Sequence, residues 1–148
     1  MVPYMTELYA AIRLKGNVKI NKEIRDTMDM LNLKRVNNCN LLRKTKEIDG
    51  MLKKSMSCIT WGEVTKETLE KLLLKRAKEN GEKKIDEKKS KDAAAKLLDG
   101  SKLKEVGLKV PIRLHPASKG LISIKQPFPR GDTGYRGEKI NELILRMI

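Results

Sequence analysis

The chain has 148 residues, 39% of them hydrophobic and only 3% aromatic, and its 33 lysines and arginines against 19 acids leave a formal charge of +14 and a pI near 9.8. That length suits one small core with appended elements, and no apolar run approaches the roughly 20 residues needed to span a bilayer. A charge excess of this size repels itself unless a polyanion accepts it, so nucleic acid ranks ahead of an anionic membrane surface, and no membrane partner is expected.

Met1 to Thr6 reads as a frayed lead-in with no basic-then-apolar leader, which suits a cytoplasmic chain. Leu8 to Leu14 is an almost unbroken apolar run stopped by Lys15-Gly16. A run this short, with aromatic and β-branched members, predicts a central strand covered on both faces. Asn21 is placed to cap a helix with Ile24, Met28 and Leu31 on one face and Lys22, Arg25, Asp26 and Asp29 on the other. Asn32 to Asn37 is a polar turn into a second strand, Cys39 to Arg43. Thr45 is the next cap, before a stripe of Ile48, Met51, Leu52 and Met56 that Gly50 weakens slightly. Cys58 to Val64 is the third strand. The pattern from 8 to 64 is β-α-β-α-β, within an α+β core domain of residues 1–64 in which the first strand lies in the middle.

Tyr9 and Trp61 sit on strands, as the base-stacking rings of single-stranded RNA-binding sheets do. The glycine and aromatic signature of those domains is missing, as is a fourth strand, so both rings are assigned to core or rim packing. Cys39 and Cys58 are read as buried thiols. With no CxxC pair and a single histidine, His115, the chain offers neither a metal site nor a disulfide.

Residues 65 to 107 form a charged helical segment. Thr65 to Glu105 has 13 basic and 9 acidic residues, often with opposite charges four apart, as in Glu67 and Lys71, Glu87 and Lys91, or Asp92 and Lys96. This spacing supports exposed helices. Leu69, Leu72, Leu73 and Ala77 make the buried stripe of the first, stopped by Asn80-Gly81. Lys83 to Lys91 is a charged link, Asp92 to Leu98 a short helix, and Lys102 to Val106 one more turn capped by Ser101. The acids neutralise much of this segment's field, so it reads as a solvated face.

Residues 108 to 137 differ. From Val106 to Arg136 there are six basic residues, Lys109, Arg113, Lys119, Lys125, Arg130 and Arg136, against one acid, Asp132, together with four of the chain's five prolines. Prolines exclude regular helix and central sheet, so a loop is expected, with short strands at Lys109 to Leu114 and Leu121 to Ile124. Prolines stiffen such a loop and glycines let backbone N–H groups approach phosphates. Arg113, Lys119, Arg130 and Arg136 are the candidate phosphate contacts, with Lys125 beside them, and Phe128 and Tyr135 could each carry an unstacked base. Residues 138 to 148 close the chain as a helix whose stripe of Ile140, Leu143, Ile144 and Met147 packs on the core.

Arg113-Leu114-His115-Pro116, Lys119-Gly120, Lys125-Gln126-Pro127-Phe128, Gly134-Tyr135-Arg136-Gly137 and Ile140-Asn141-Glu142-Leu143 together resemble the C-terminal signature of the archaeal form of large-subunit ribosomal protein thirty, counterpart of eukaryotic large-subunit protein seven. Leu8 to Val64 is similar to the short bacterial members. The resemblance implies a three-stranded sheet related to the ferredoxin-like fold, with helices on one face. It also implies a place in the large ribosomal subunit beside its main RNA, 5S RNA and neighbouring ribosomal proteins. Ala117-Ser118 stand where the family often has a further proline and a basic residue, and the long basic N-terminal arm of eukaryotic members is absent.

Lys15, Lys19, Lys34, Arg35 and Arg43, at the ends and turns of the core, are candidates for a second RNA contact, which would make the chain a clamp. His115, in the Pro-rich loop, is expected to bond the loop or touch RNA rather than act as a base. No convergent acid, base and nucleophile is present, so neither an enzyme nor a small-molecule substrate or cofactor is expected. The alternative to a resident ribosomal constituent is a transient RNA-binding or assembly factor.

Overall fold

The computed structural model describes residues 8–16, 18–78, 85–98, 108, 112–118, 120–121, 123–128 and 130–148. The first strand, β1 (Leu8–Arg13), is buried at every position. Helix α1 (Lys22–Met30), strand β2 (Asn38–Arg43), helix α2 (Lys46–Lys54) and strand β3 (Ile59–Glu63) complete the unit expected from the sequence. Both β2 and β3 run antiparallel to β1, which lies between them, with Ala11 facing Asn40 on one side and Trp61 on the other. Thr45 caps α2 by accepting from the Ile48 N–H at 3.1 Å. Asn21 stands at the N-terminus of α1 without a side-chain cap. Met56 was expected in the α2 stripe, but α2 ends at Lys54 and Met56 is exposed in the turn that follows.

Beyond β3 come α3 (Lys66–Arg76) and α4 (Glu87–Leu98), strands β4 (Ile112–Arg113) and β5 (Gly134–Tyr135), a 3-10 turn at Gly137–Lys139, and α5 (Ile140–Met147). The sheet therefore has five strands in the order β4-β2-β1-β3-β5, not three. The two added strands are two residues long, too short to leave an alternating pattern. Glu87 to Lys91, expected as part of a link, is the first turn of α4, and Glu87 and Lys91 pair at 3.6 Å. The α3 helix ends at Arg76. The expected stop at Asn80-Gly81 and the turn at Lys102 to Val106 lie outside the described residues.

Alternation along β1 sends its side chains into two cores. Tyr9 and Ala11 join Met28, Leu31, Leu52, Cys58, Ile59 and Trp61 beneath α1 and α2. Leu8, Ala10 and Ile12 join Leu69, Leu72, Leu73, Ala94, Leu97, Ile140, Leu143, Ile144 and Met147 beneath α3, α4 and α5. The helices of the β-α-β-α-β unit cover one face, and the later helices cover the other. At roughly 1.5–3 kcal/mol per fully buried large apolar side chain, the α5 stripe alone is a strong anchor. Its approach depends on Gly62, where an added Cβ would lie 2.0 Å from the Gly137 carbonyl oxygen and 2.9 Å from Ile140 Cβ. Cys39 and Cys58 are free buried thiols, and burial pushes the Cys39 thiol up to about 12. Tyr9 and Trp61 are buried in the core.

Candidate nucleic-acid interface

The segment from 112 to 136 leaves the sheet on one edge and rejoins it on the other. Strand β4 pairs with the start of β2, Asn38 facing Arg113. The chain then passes the C-terminus of α5: the His115 N–H donates to the Met147 carbonyl at 2.8 Å and the Ser118 N–H to the Arg146 carbonyl at 2.9 Å. Two carbonyls of the last helical turn, which have no partner within the helix, are satisfied in this way. Arg146 reaches back to the Ser118 carbonyl at 3.0 Å and to the carbonyl of Gly120.

From Ser123 to Thr133 the chain closes on itself. Asp132 donates its N–H to the Ser123 carbonyl at 2.8 Å and accepts the Ser123 N–H on its carboxylate at 3.1 Å. The Phe128 N–H bonds the Thr133 carbonyl, and the Gly131 N–H bonds the Pro127 carbonyl, both at 2.8 Å. Gly131 cannot carry a side chain here, because a Cβ would lie 2.0 Å from the Gln126 carbonyl oxygen. Of the strand expected at Leu121 to Ile124, the described residues are loop. The loop's return, β5, runs parallel to β3, with Thr60 opposite Gly134.

Arg136 departs from the expectation that it meets phosphate. It is only 7% exposed. Its guanidinium donates to the Asp132 carbonyl at 2.7 Å, to the Asp132 carboxylate at 3.1 Å and to the Thr60 hydroxyl at 2.9 Å. Phe128 covers it, with the guanidinium carbon 5.2 Å from the ring centroid. Burial pushes the arginine down from its ordinary pKa, and the Asp132 carboxylate opposes that. The lone acid of the basic segment thus neutralises an internal charge. Phe128 is half-buried on this cation, which takes one of the ring's faces.

The remaining cations fall mostly at one end of the sheet. At the end where β1 finishes, β2 and β3 begin. Lys15 follows β1, its N–H on the Cys58 carbonyl at 3.2 Å, and Lys19 lies in the next turn with φ 58°. Lys34 and Arg35 precede β2, and Arg113 pairs beside it. Lys125 and Arg130 ride on the loop that enters β5 from this end. Lys19, Lys34, Arg35, Arg113, His115, Lys125 and Arg130 are exposed, Lys15 half-buried. Among the described residues these lysines and arginines have no carboxylate within ion-pair distance. Lys119 lies outside the described residues.

Arg43 is placed elsewhere. It faces Leu8 at the opposite end of the sheet, so the structure separates it from the others. Tyr135 also stands apart from the loop cations. Its hydroxyl donates to Glu63 at 2.7 Å, and its ring lies 6.5 Å from Tyr9 and 6.1 Å from Trp61, leaving it 49% exposed.

The sequence reading passed over Arg13. Its side chain is almost fully buried and donates to the Lys15 carbonyl at 2.7 Å and the Leu33 carbonyl at 2.9 Å, fixing the backbone of the two turns that carry Lys15, Lys34 and Arg35. A lone arginine inside an apolar strand was the available signal.

Residues 9–55 match the family model described as ribosomal protein L30p/L7e. The large ribosomal subunit protein uL30 of Nanoarchaeum equitans is 43% identical over 153 residues, covering 95% of this chain and 99% of that protein. The uL30 of Methanosphaera stadtmanae is 38% identical, covering 95% and 100%. The chain belongs to the uL30 family. A uL30 of Thermoplasma volcanium is 40% identical, covering 95% of this chain and 93% of that protein. The family model ends inside the β-α-β-α-β unit, whereas the similarity to archaeal uL30 proteins covers nearly the whole chain.

Proposed function

We infer that this uL30 chain is a structural constituent of the large ribosomal subunit, holding folded ribosomal RNA against the cationic end of its sheet. Family membership supports the ribosomal role. The observation that supports the RNA-facing surface is the gathering of Lys15, Lys19, Lys34, Arg35, Arg113, Lys125 and Arg130 at one end of the sheet, without carboxylate partners among the described residues. Cations left in this state gain most by displacing counterions from a polyanion. Recognition then follows RNA shape, because side chains cannot read the deep major groove of an A-form helix. His115, exposed next to Arg113, joins this surface, and Lys119 belongs to the same proposal by its place in the loop sequence. Arg43 and Tyr135, set apart at the opposite end of the sheet, lie outside this surface.

The main RNA of the large subunit is the first partner. The 5S RNA and neighbouring ribosomal proteins complete the proposed surroundings, and crosslinking in purified subunits identifies which RNA this end meets. For the cationic end, binding to purified archaeal large-subunit RNA is measured across a salt series for the parent and for a triple variant, Arg113→Ala, Lys125→Ala and Arg130→Ala. The slope of log K against log salt should become shallower by about 2–3, at 0.7–0.9 for each phosphate no longer neutralised. An unchanged slope would overturn this assignment.

A further inference from the structure

Among the described residues of the basic segment, Arg136 is the one enclosed cation, and its partners span the loop. Asp132, which it binds through both backbone carbonyl and carboxylate, is itself bonded to Ser123 at the loop's start. Thr60, which accepts from Arg136 Nε, donates its hydroxyl to the Gly134 carbonyl at 2.8 Å, tying the same network to β3. Phe128, at the turn between Lys125 and Arg130, rests on the guanidinium face. One planar group thereby joins the loop's start, its turn, its end and the sheet.

We propose that Arg136 is a positioning residue that holds the 123–133 loop in its binding shape before RNA arrives, without touching RNA itself. The inference rests on the proposed RNA-facing role of the loop. Apolar packing does not hold this arrangement: among the described residues of 123–133, no side chain belongs to either buried core. The loop is kept in place by polar bonds gathered on a single buried cation. A preformed loop presents Lys125 and Arg130 together and avoids an ordering cost at the moment of binding. Lysine cannot substitute, since a point charge lacks the fork that reaches Asp132 and Thr60 at once and the flat face that Phe128 covers.

The test compares Arg136→Lys with Phe128→Leu and with Lys125→Ala plus Arg130→Ala. Arg136→Lys keeps the charge, so a direct phosphate contact would survive it. The expected result is amide exchange at least tenfold faster across 123–133 with β1 and α5 still protected. Affinity for archaeal large-subunit RNA should fall about tenfold well below the melting temperature, with the salt slope unchanged. Phe128→Leu, which leaves the hydrogen bonds in place, should give the same pattern in weaker form and guards against a lysine variant that fails to fold. If Arg136→Lys leaves loop exchange and affinity at parent values, the proposal is overturned. A lower melting temperature with unchanged RNA affinity would make the role merely structural and overturn it equally. The double alanine variant separates the two readings: if it leaves the salt slope untouched, the loop does not face RNA and the fault lies in the functional assignment.

Discussion

The two ends of the sheet are built from similar residue types and use them in opposite ways. At the end where β1 begins, polar groups satisfy one another: Tyr135 donates to Glu63, Asn141 donates to the Glu63 and Glu138 carbonyls, and the Thr65 N–H donates to Asn141. At the other end, lysines and arginines stand on loops and on the edge strand β4 without carboxylate partners among the described residues. Polar groups that close on each other add stability and leave nothing for a partner. Cations held by backbone anchors and left open add little stability and await an anion. Substitutions at the first end should change stability with little effect on RNA binding, and exposed substitutions at the second should do the reverse.

The strongest test of the closed end is Gly62→Ala. The new methyl would meet the Gly137 carbonyl, a backbone atom that moves only if the 3-10 turn and the start of α5 move with it. Overpacking of this kind costs about 3 kcal/mol, so thermal or denaturant unfolding should show a loss of that size. A variant as stable as the parent would mean that α5 does not lie on β3 as described.

At the open end, Arg35→Glu with Arg113→Glu places like charge against phosphate, a juxtaposition that costs several kcal/mol. Affinity for large-subunit RNA should drop by about 100-fold or more, while the unfolding midpoint stays close to the parent's because both side chains are exposed. A large loss of stability with normal binding would invert the comparison. Arg13→Met sharpens it, since this arginine lies at the open end but is buried. Removing it leaves the Lys15 and Leu33 carbonyls without their donor, at about 1–3 kcal/mol. Burial, more than position along the sheet, then decides whether a cation serves folding or binding.

The same distinction explains what the sequence disclosed. An unbroken apolar run located β1 and hydrophobic period located both helices of the core and α5, because each buries apolar residues in a pattern that is written in residue type. Strand β4 falls inside the strand expected at Lys109 to Leu114, but β5 left no trace, since two residues cannot alternate and its pairing is decided by the distant partner β3. Net charge pointed to a polyanion, yet charge counting could not tell Arg136 from Arg130. One lies inside and the other outside, and the clue was the solitary Asp132 four residues before Arg136, at a distance where the two could pair. Lys15, Lys34, Arg35 and Arg113 were each visible as cations. Their assembly at one end, and the separation of Arg43, came from antiparallel registers that no local pattern encodes.

The smallest predicted effect lies at the closed end, in the hydrogen bond from Tyr135 to Glu63. Tyr135→Phe should cost about 1 kcal/mol at neutral pH, the usual net worth of such a bond, with RNA affinity at the cationic end unchanged. Its signature is the pH dependence. Chiefly because it donates to Glu63, the Tyr135 phenol is pushed from its ordinary 10.0 up to about 12. A group whose pKa is raised on folding keeps its proton longer in the native state, so its contribution is complete below pH 10 and disappears as pH climbs towards 12. Other groups that titrate at alkaline pH are common to parent and variant and cancel in the difference. The stability gap between parent and Tyr135→Phe should therefore be flat up to about pH 10 and close above it. A gap that stays constant through pH 11 would show that the phenol proton is not held by Glu63, and the closed end would lose one of the bonds that distinguish it from the open one.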